Sequence, residues 1–140
     1  MCRQKRTKYF IITMNNKPVI LYIDDEESNL RIFKNSFRRD FNIYIAISAE
    51  EGIEILKQTS IDVIITDQRM PGKTGLELLK EIHDMFPDIP PHRLMVSGYA
   101  APKDINSAYE DYGLFRFISK PWEAEELKRT IFEVIQMHHE

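Results

Sequence analysis

Apolar residues recur along the chain in two alternating rhythms. Short runs rich in β-branched and aromatic side chains occur at Val19–Ile23, Ile43–Ile47, Val63–Thr66, Arg93–Val96 and Phe115–Ile118. Between them lie longer stretches whose apolar positions repeat every three or four residues. From about Ser28 to Arg39 these are Leu30, Phe33 and Phe37, and from about Thr74 to Met85 they are Leu76, Leu79 and Ile82. From about Glu123 to Met137 they are Leu127, Ile131, Val134 and Ile135. The first rhythm predicts strands and the second amphipathic helices. Two further helices are predicted, one in SAEEGIEILKQ, where Ser48 and Glu51 stand at capping-box spacing, and one over about Pro102–Tyr109. Asp88-Ile89-Pro90-Pro91 breaks the chain before the fourth strand.

Strictly alternating strands and helices predict an α/β fold, a parallel sheet with helices on both faces. The near-continuous apolar strands agree, because parallel strands are buried on both sides. With no repeat or internal linker, 140 residues make one domain.

In an open α/β sheet the binding crevice lies outside the carboxyl ends of the strands, so the residues at which strands stop carry the chemistry. Strand one stops at Asp24-Asp25 in LYIDDEE, and strand three at Asp67 in IITDQRMPGKTG. Strand four stops at Ser97-Gly98 in LMVSGYA, and strand five at Lys120-Pro121 in FISKPW. Singly, each is an ordinary cap, turn or surface residue. Together they are not, because three carboxylates at one edge repel one another by about 1 to 4 kcal/mol per pair at about 4 Å. Such a cluster needs a cation, and a few hard oxygen ligands suit Mg²⁺. An open Mg²⁺ site, an ammonium (Lys120), a hydroxyl (Ser97) and a carboxylate nucleophile (Asp67) meet the needs of phosphoryl transfer. Met70-Pro71-Gly72 turns the chain sharply after Asp67, with Pro71 fixing φ and Gly72 free to take positive φ.

Composition narrows the setting. The 43% hydrophobic and 29% charged residues are those of an ordinary globular domain, and the lone Cys2 forms no intrachain disulfide. No stretch has the length and apolarity of a transmembrane helix, and Tyr9–Ile12 is too short for a signal-peptide core, so a cytoplasmic location is expected. Five of the 19 basic side chains (Arg3, Lys5, Arg6, Lys8, Lys17) fall in residues 1–17, which hold no acid. The other 123 residues carry 14 basic against 22 acidic groups. Residues 1–16 therefore read as a basic, solvated extension ahead of a domain over 17–140, with a natural start at Met14. The acidic body, with no helix-turn-helix after it, argues against direct nucleic-acid binding. The four histidines, His83, His92, His138 and His139, lie away from the strand-end edge, the last two at a solvated helix end.

The pieces IDDEE, TDQRMPGKTG, VSGYA and FRFISKPW, in this order, resemble the response-regulator receiver domain of two-component signalling over Lys17–Met137. The spacing is 30 residues from Asp67 to Ser97 and 23 from Ser97 to Lys120. The resemblance implies a flavodoxin-like, doubly wound (βα)5 sandwich with five parallel strands in the order 2-1-3-4-5. It implies that Asp67 accepts a phosphoryl group from a phosphohistidine of a partner histidine kinase or phosphotransfer protein. Asp25, Asp67 and the backbone carbonyl of Arg69 would bind Mg²⁺ directly, and Asp24 would help from outside. Ser97 and Lys120 would hold the phosphoryl group, with Lys120-Pro121 at a position that is often cis in the family. Phe117 matches the aromatic switch position. Phosphorylation would draw Ser97 in, turn Phe117 inward and reshape the face of helix four, strand five and helix five for an output partner or a second copy. The protein would be a switch that assists its own phosphorylation and dephosphorylation, not a turnover enzyme.

Arg69, Gly98 and Tyr99 flank the site at positions that influence phosphate lifetime in the family. Gly98 leaves water a path, while Arg69 and Tyr99 are large enough to slow it. Trp122, in a KPW ending, resembles receivers joined to output modules in longer chains. Three rivals compete. A hydrolase of the haloacid dehalogenase type needs an aspartate two residues after the nucleophile, where Arg69 stands. A dinucleotide-binding domain needs a glycine-rich first turn, where DDEES would repel phosphate. A receiver-like interaction module that is never phosphorylated would lack an acidic residue, Asp67 or Lys120, and none is missing.

Overall fold

The structure is a computed structural model and describes residues 17–88 and 90–139. The expected N-terminal extension, residues 1–16, and the side chains of His138 and His139 lie outside the described residues.

Five strands, β1 (Val19–Ile23), β2 (Asn42–Ala46), β3 (Val63–Thr66), β4 (His92–Ser97) and β5 (Leu114–Ser119), form one parallel sheet in the order β2-β1-β3-β4-β5. The helices are α1 (Glu27–Phe37), α2 (Ala49–Gln58), α3 (Gly75–Met85), α4 (Pro102–Asp111) and α5 (Ala124–His139). The order is that of a doubly wound fold and bears out the expected topology. Strands β1, β3 and β4 are almost wholly buried, as their sequences require. The edge strands β2 and β5 are only half-buried, a correction to the expectation that every strand is covered on both faces.

Each face of the sheet has its own core. On one side Leu21, Ile23, Ile64 and Met95 meet Ile53 and Leu56 of α2 and Leu78, Leu79 and Ile82 of α3. On the other, Ile20, Tyr22, Val63, Ile65, Leu94 and Val96 meet Leu30, Phe33 and Phe37 of α1 and Leu127, Ile131, Val134 and Ile135 of α5. The periodic residues named for α1 and α5 are all buried, and in α3 Leu78 takes the depth expected of Leu76, which is only partly covered. The second core is aromatic: Tyr22 stacks on Phe33 at 4.2 Å, and Phe37 and Trp122 lie 5.4 Å apart. Packing against these rings is the role the structure gives Trp122.

At the sheet end away from the carboxylates, Arg93 is buried to 1% exposure and has no acidic partner among the described residues. Its guanidinium donates to the carbonyls of Pro91 (3.2 Å), Phe86 (2.6 Å) and Tyr112 (3.2 Å). Phe86 and Tyr112 end α3 and α4, so one cation satisfies the free carbonyls of two helix C-termini and complements both dipoles. Burial pushes its pKa down, although three hydrogen bonds to carbonyl oxygens keep the guanidinium charged.

Candidate functional site

Backbone hydrogen bonds continue the parallel ladder one residue past the strands and set the site residues side by side. The Asp24 N–H donates to Ala46 O, the Asp67 N–H to Ile23 O (both 3.1 Å) and the Lys120 N–H to Ser97 O (2.9 Å). One carboxylate oxygen from each of Asp24, Asp25 and Asp67 lies within 4.8 Å of the others. The Lys120 ammonium bridges two of them, 2.9 Å from Asp24 Oδ2 and 3.0 Å from Asp67 Oδ2. The Lys120–Pro121 peptide bond is cis.

The three carboxylates differ in environment. Asp24 is wholly buried: its Oδ1 accepts from the Glu26 N–H (3.1 Å), and its Oδ2 from the Tyr22 hydroxyl (3.1 Å), the Asn29 amide (3.1 Å) and Lys120. Asp67 is 6% exposed, and its Oδ1 accepts from the N–H groups of Gln68 (2.7 Å) and Arg69 (3.4 Å). Asp25 is half-exposed and makes no hydrogen bond or ion pair among the described residues. Burial pushes the Lys120 ammonium toward lower pKa, but its hydrogen bonds to Asp24 and Asp67 and their charge outweigh this and leave it raised. Burial, reinforced by the charge of Asp24 and the bond to it, pushes the Tyr22 hydroxyl far up, so it stays a protonated donor.

Ser97 is buried at the end of β4, and its hydroxyl donates to Tyr99 O at 3.0 Å. The Phe117 ring packs half-buried against the first core, while its N–H donates to the Tyr109 hydroxyl at 2.7 Å. Arg69, Gly98 and Tyr99 are all exposed around the site, and a methyl group at Gly98 would meet nothing within 4 Å. Gly72 has φ +78°, the value the Met-Pro-Gly turn was read to need. The structure thus brings Asp24, Asp25, Asp67 and Lys120 into one cluster, with Ser97 beside it and Phe117 further out on β5.

Three residues that the sequence analysis passed over complete the site. Tyr22 lies two positions before Asp24, on the same side of β1, so strand alternation alone pairs them. Asn29 stands in the first turn of α1, which starts over the cluster. Gln68, buried, accepts from the Leu76 N–H at 2.8 Å and donates to Asp104 of α4 at 3.4 Å, tying the loop after Asp67 to two helix N-termini. A lone amide after an apolar run was the only signal for it.

An all-oxygen set of three carboxylates against a single ammonium leaves a surplus of negative charge, which a small hard divalent cation fits. Asp25 is free to face such an ion, whereas Asp24 is engaged by four protein donors.

Residues 20–132 match the response regulator receiver domain. The chain belongs to this family, the phosphoacceptor switches of two-component signalling, whose members bind Mg²⁺ at an acidic site and act with histidine kinases and output domains. It is 31% identical over 122 residues to the hydrogenase transcriptional regulatory protein HoxA of Cupriavidus necator, covering 87% of this chain and 25% of that protein. It is 30% identical to chemotaxis protein CheY-3 of Vibrio cholerae, covering 88% of this chain and 95% of that one. Among solved structures, a receiver domain protein from Clostridium thermocellum superimposes with a TM-score of 0.79 at 31% identity, covering 86% of this chain and 96% of that one. The chain therefore spans about a quarter of the HoxA regulator but nearly all of chemotaxis protein CheY-3. Among the described residues no helix is long and apolar enough to cross a membrane.

Proposed function

We propose that Asp67 is the phosphoacceptor of a Mg²⁺-dependent switch. The observation that carries this is the shared ammonium: Lys120 stands 3.0 Å from Asp67 Oδ2 within a triad of carboxylates. An Asp67 oxygen attacks phosphorus, the P–N bond of a phosphohistidine breaks, and its electron pair returns to the imidazole. Asp25, Asp67 and the Arg69 carbonyl, with Asp24 behind them, would hold Mg²⁺, which would supply positive charge against the transferring group. Lys120 pairs with the phosphoryl oxygens. Ser97 leaves the Tyr99 carbonyl and donates to another phosphoryl oxygen, and Phe117 turns into the space behind it.

The movement is read out on the α4-β5-α5 face, where a groove is lined by Arg116, Phe117, Ser119, Trp122, Glu126 and Leu127. An output partner or a second copy binds there, in the cytoplasm, and whether the chain acts alone or within a longer regulator is set by what it is joined to. The open space at Gly98 admits water for hydrolysis, and Arg69 and Tyr99 slow it.

Acetyl phosphate, with and without Mg²⁺, tests the reading by intact mass of the wild-type chain and of Asp67→Asn. One phosphoryl group on the wild type, requiring Mg²⁺ and absent from Asp67→Asn, is expected. Unchanged mass in the wild type, or equal labelling of the variant, would sink it.

A further inference from the structure

Three donors converge on one oxygen of Asp24. Tyr22 Oη and Asn29 Nδ2, each at 3.1 Å, and Lys120 Nζ at 2.9 Å all reach Oδ2, while Oδ1 takes only the Glu26 N–H. A carboxylate oxygen offers about two lone-pair sites, so the ammonium competes with two neutral donors. Lys120 also holds Asp67, and to follow a phosphoryl group built there it has to loosen from Asp24. Asp24 is wholly buried, so solvent does not replace the lost donor, and a buried carboxylate left short of partners is costly.

The two neutral donors are built to stay. Tyr22 is 1% exposed, and its ring lies parallel to Phe33 at 4.2 Å, which fixes the hydroxyl at Asp24. Asn29 Nδ2 is steadied by a second bond, to Glu26 Oε1 at 3.3 Å.

We propose that Tyr22 and Asn29 are positioning residues that keep Asp24 hydrogen-bonded while Lys120 shifts to the phosphoryl group. This rests on the reading of Asp67 as phosphoacceptor. Removing either donor leaves the ammonium as the chief partner of Oδ2, holds it back and slows transfer. It does not weaken the hold on a metal ion, because it removes no carboxylate and leaves Asp24 less neutralised.

Tyr22→Phe keeps the stacked ring, and Asn29→Ala is a second variant at a half-buried position. For each, phosphorylation by acetyl phosphate at saturating Mg²⁺ is timed by intact mass, and Mg²⁺ affinity is measured by calorimetry. A rate about tenfold lower with Mg²⁺ affinity equal to or tighter than wild type is expected, the size of one hydrogen bond to a charged group. A rate that does not fall, or a rate and an affinity that fall together as from a damaged fold, overturns the proposal. An active wild type with unchanged variants overturns this inference alone; a wild type that takes no phosphoryl group overturns the phosphoacceptor reading and this inference with it.

Discussion

Of the three carboxylates, Asp24 and Asp67 share Lys120, whereas Asp25 adds its charge with no protein partner among the described residues. Its side chain is half-exposed, so water screens much of the repulsion, but two carboxylates within 4.8 Å still act on it. In the absence of a metal, Asp25 therefore destabilises the fold that holds it. Asp25→Asn is expected to raise metal-free stability by about 1 kcal/mol, or about 4 °C in Tm. If Asp25 is the proposed Mg²⁺ ligand, the same change is expected to abolish the upward shift expected of the wild type in millimolar MgCl2. Thermal unfolding of both proteins with and without MgCl2 checks the pair of effects, and a variant less stable than wild type without metal contradicts the first. Asp24 could not be used this way, since its loss would strand the buried Tyr22 hydroxyl and take a partner from Glu26, Asn29 and Lys120.

At the scale of elements, α3 and the loop before it decide where Asp67 points. Thr74 accepts from the Glu77 N–H at 3.2 Å and Glu77 from the Thr74 N–H at 2.8 Å, a complete capping box. The same spacing in α2 closes differently: Ser48 accepts from the Glu51 N–H, but Glu51 reaches back to the Ile47 N–H, one residue earlier than expected. Beside the α3 cap, Gly75 donates its N–H to Gln68 O at 3.0 Å, and a Cβ there would stand 2.3 Å from Asp67 O. The Cβ would meet backbone rather than a flexible side chain, so the loop has to move. Gly75→Ala is expected to cost about 2 kcal/mol by overpacking, and Thr74→Ala about 1 kcal/mol by loss of a cap. Only the first displaces Asp67, so only Gly75→Ala is expected to weaken the proposed Mg²⁺ binding. Denaturant melts and calorimetry on both variants separate the two effects, and equal affinities would refute the link.

For the whole molecule, the sequence made legible whatever depends on pattern along the chain: five strands, five helices, and the charged residues where strands stop. What stayed hidden depends on distance across the fold. Arg93 read as a strand residue because its partners, the carbonyls of Phe86, Pro91 and Tyr112, meet only when α3 and α4 end beside β4. Tyr22 was legible only as one position of the Val19–Ile23 strand; its ring lies in the core, while its hydroxyl belongs to the site. The half-exposure of β2 and β5 follows from their places at the sheet edges, which hydrophobicity does not encode. A similar contrast separates the helices. Helix α1 buries Leu30, Phe33 and Phe37, but α4 buries only Ala108. Polar contacts hold α4 instead: Gln68 to Asp104, Arg93 to the Tyr112 carbonyl, and the Phe117 N–H to the Tyr109 hydroxyl. Elements with little apolar burial open below the global unfolding free energy and are the ones that move in switches. Native-state hydrogen exchange is thus expected to show α4 amides opening at least about 2 kcal/mol below those of α1, with beryllofluoride and Mg²⁺ changing protection in α4 more than in α1. Equal protection of the two helices would mean that α4 is fixed as firmly as the core, and the proposed output face would then need another moving part.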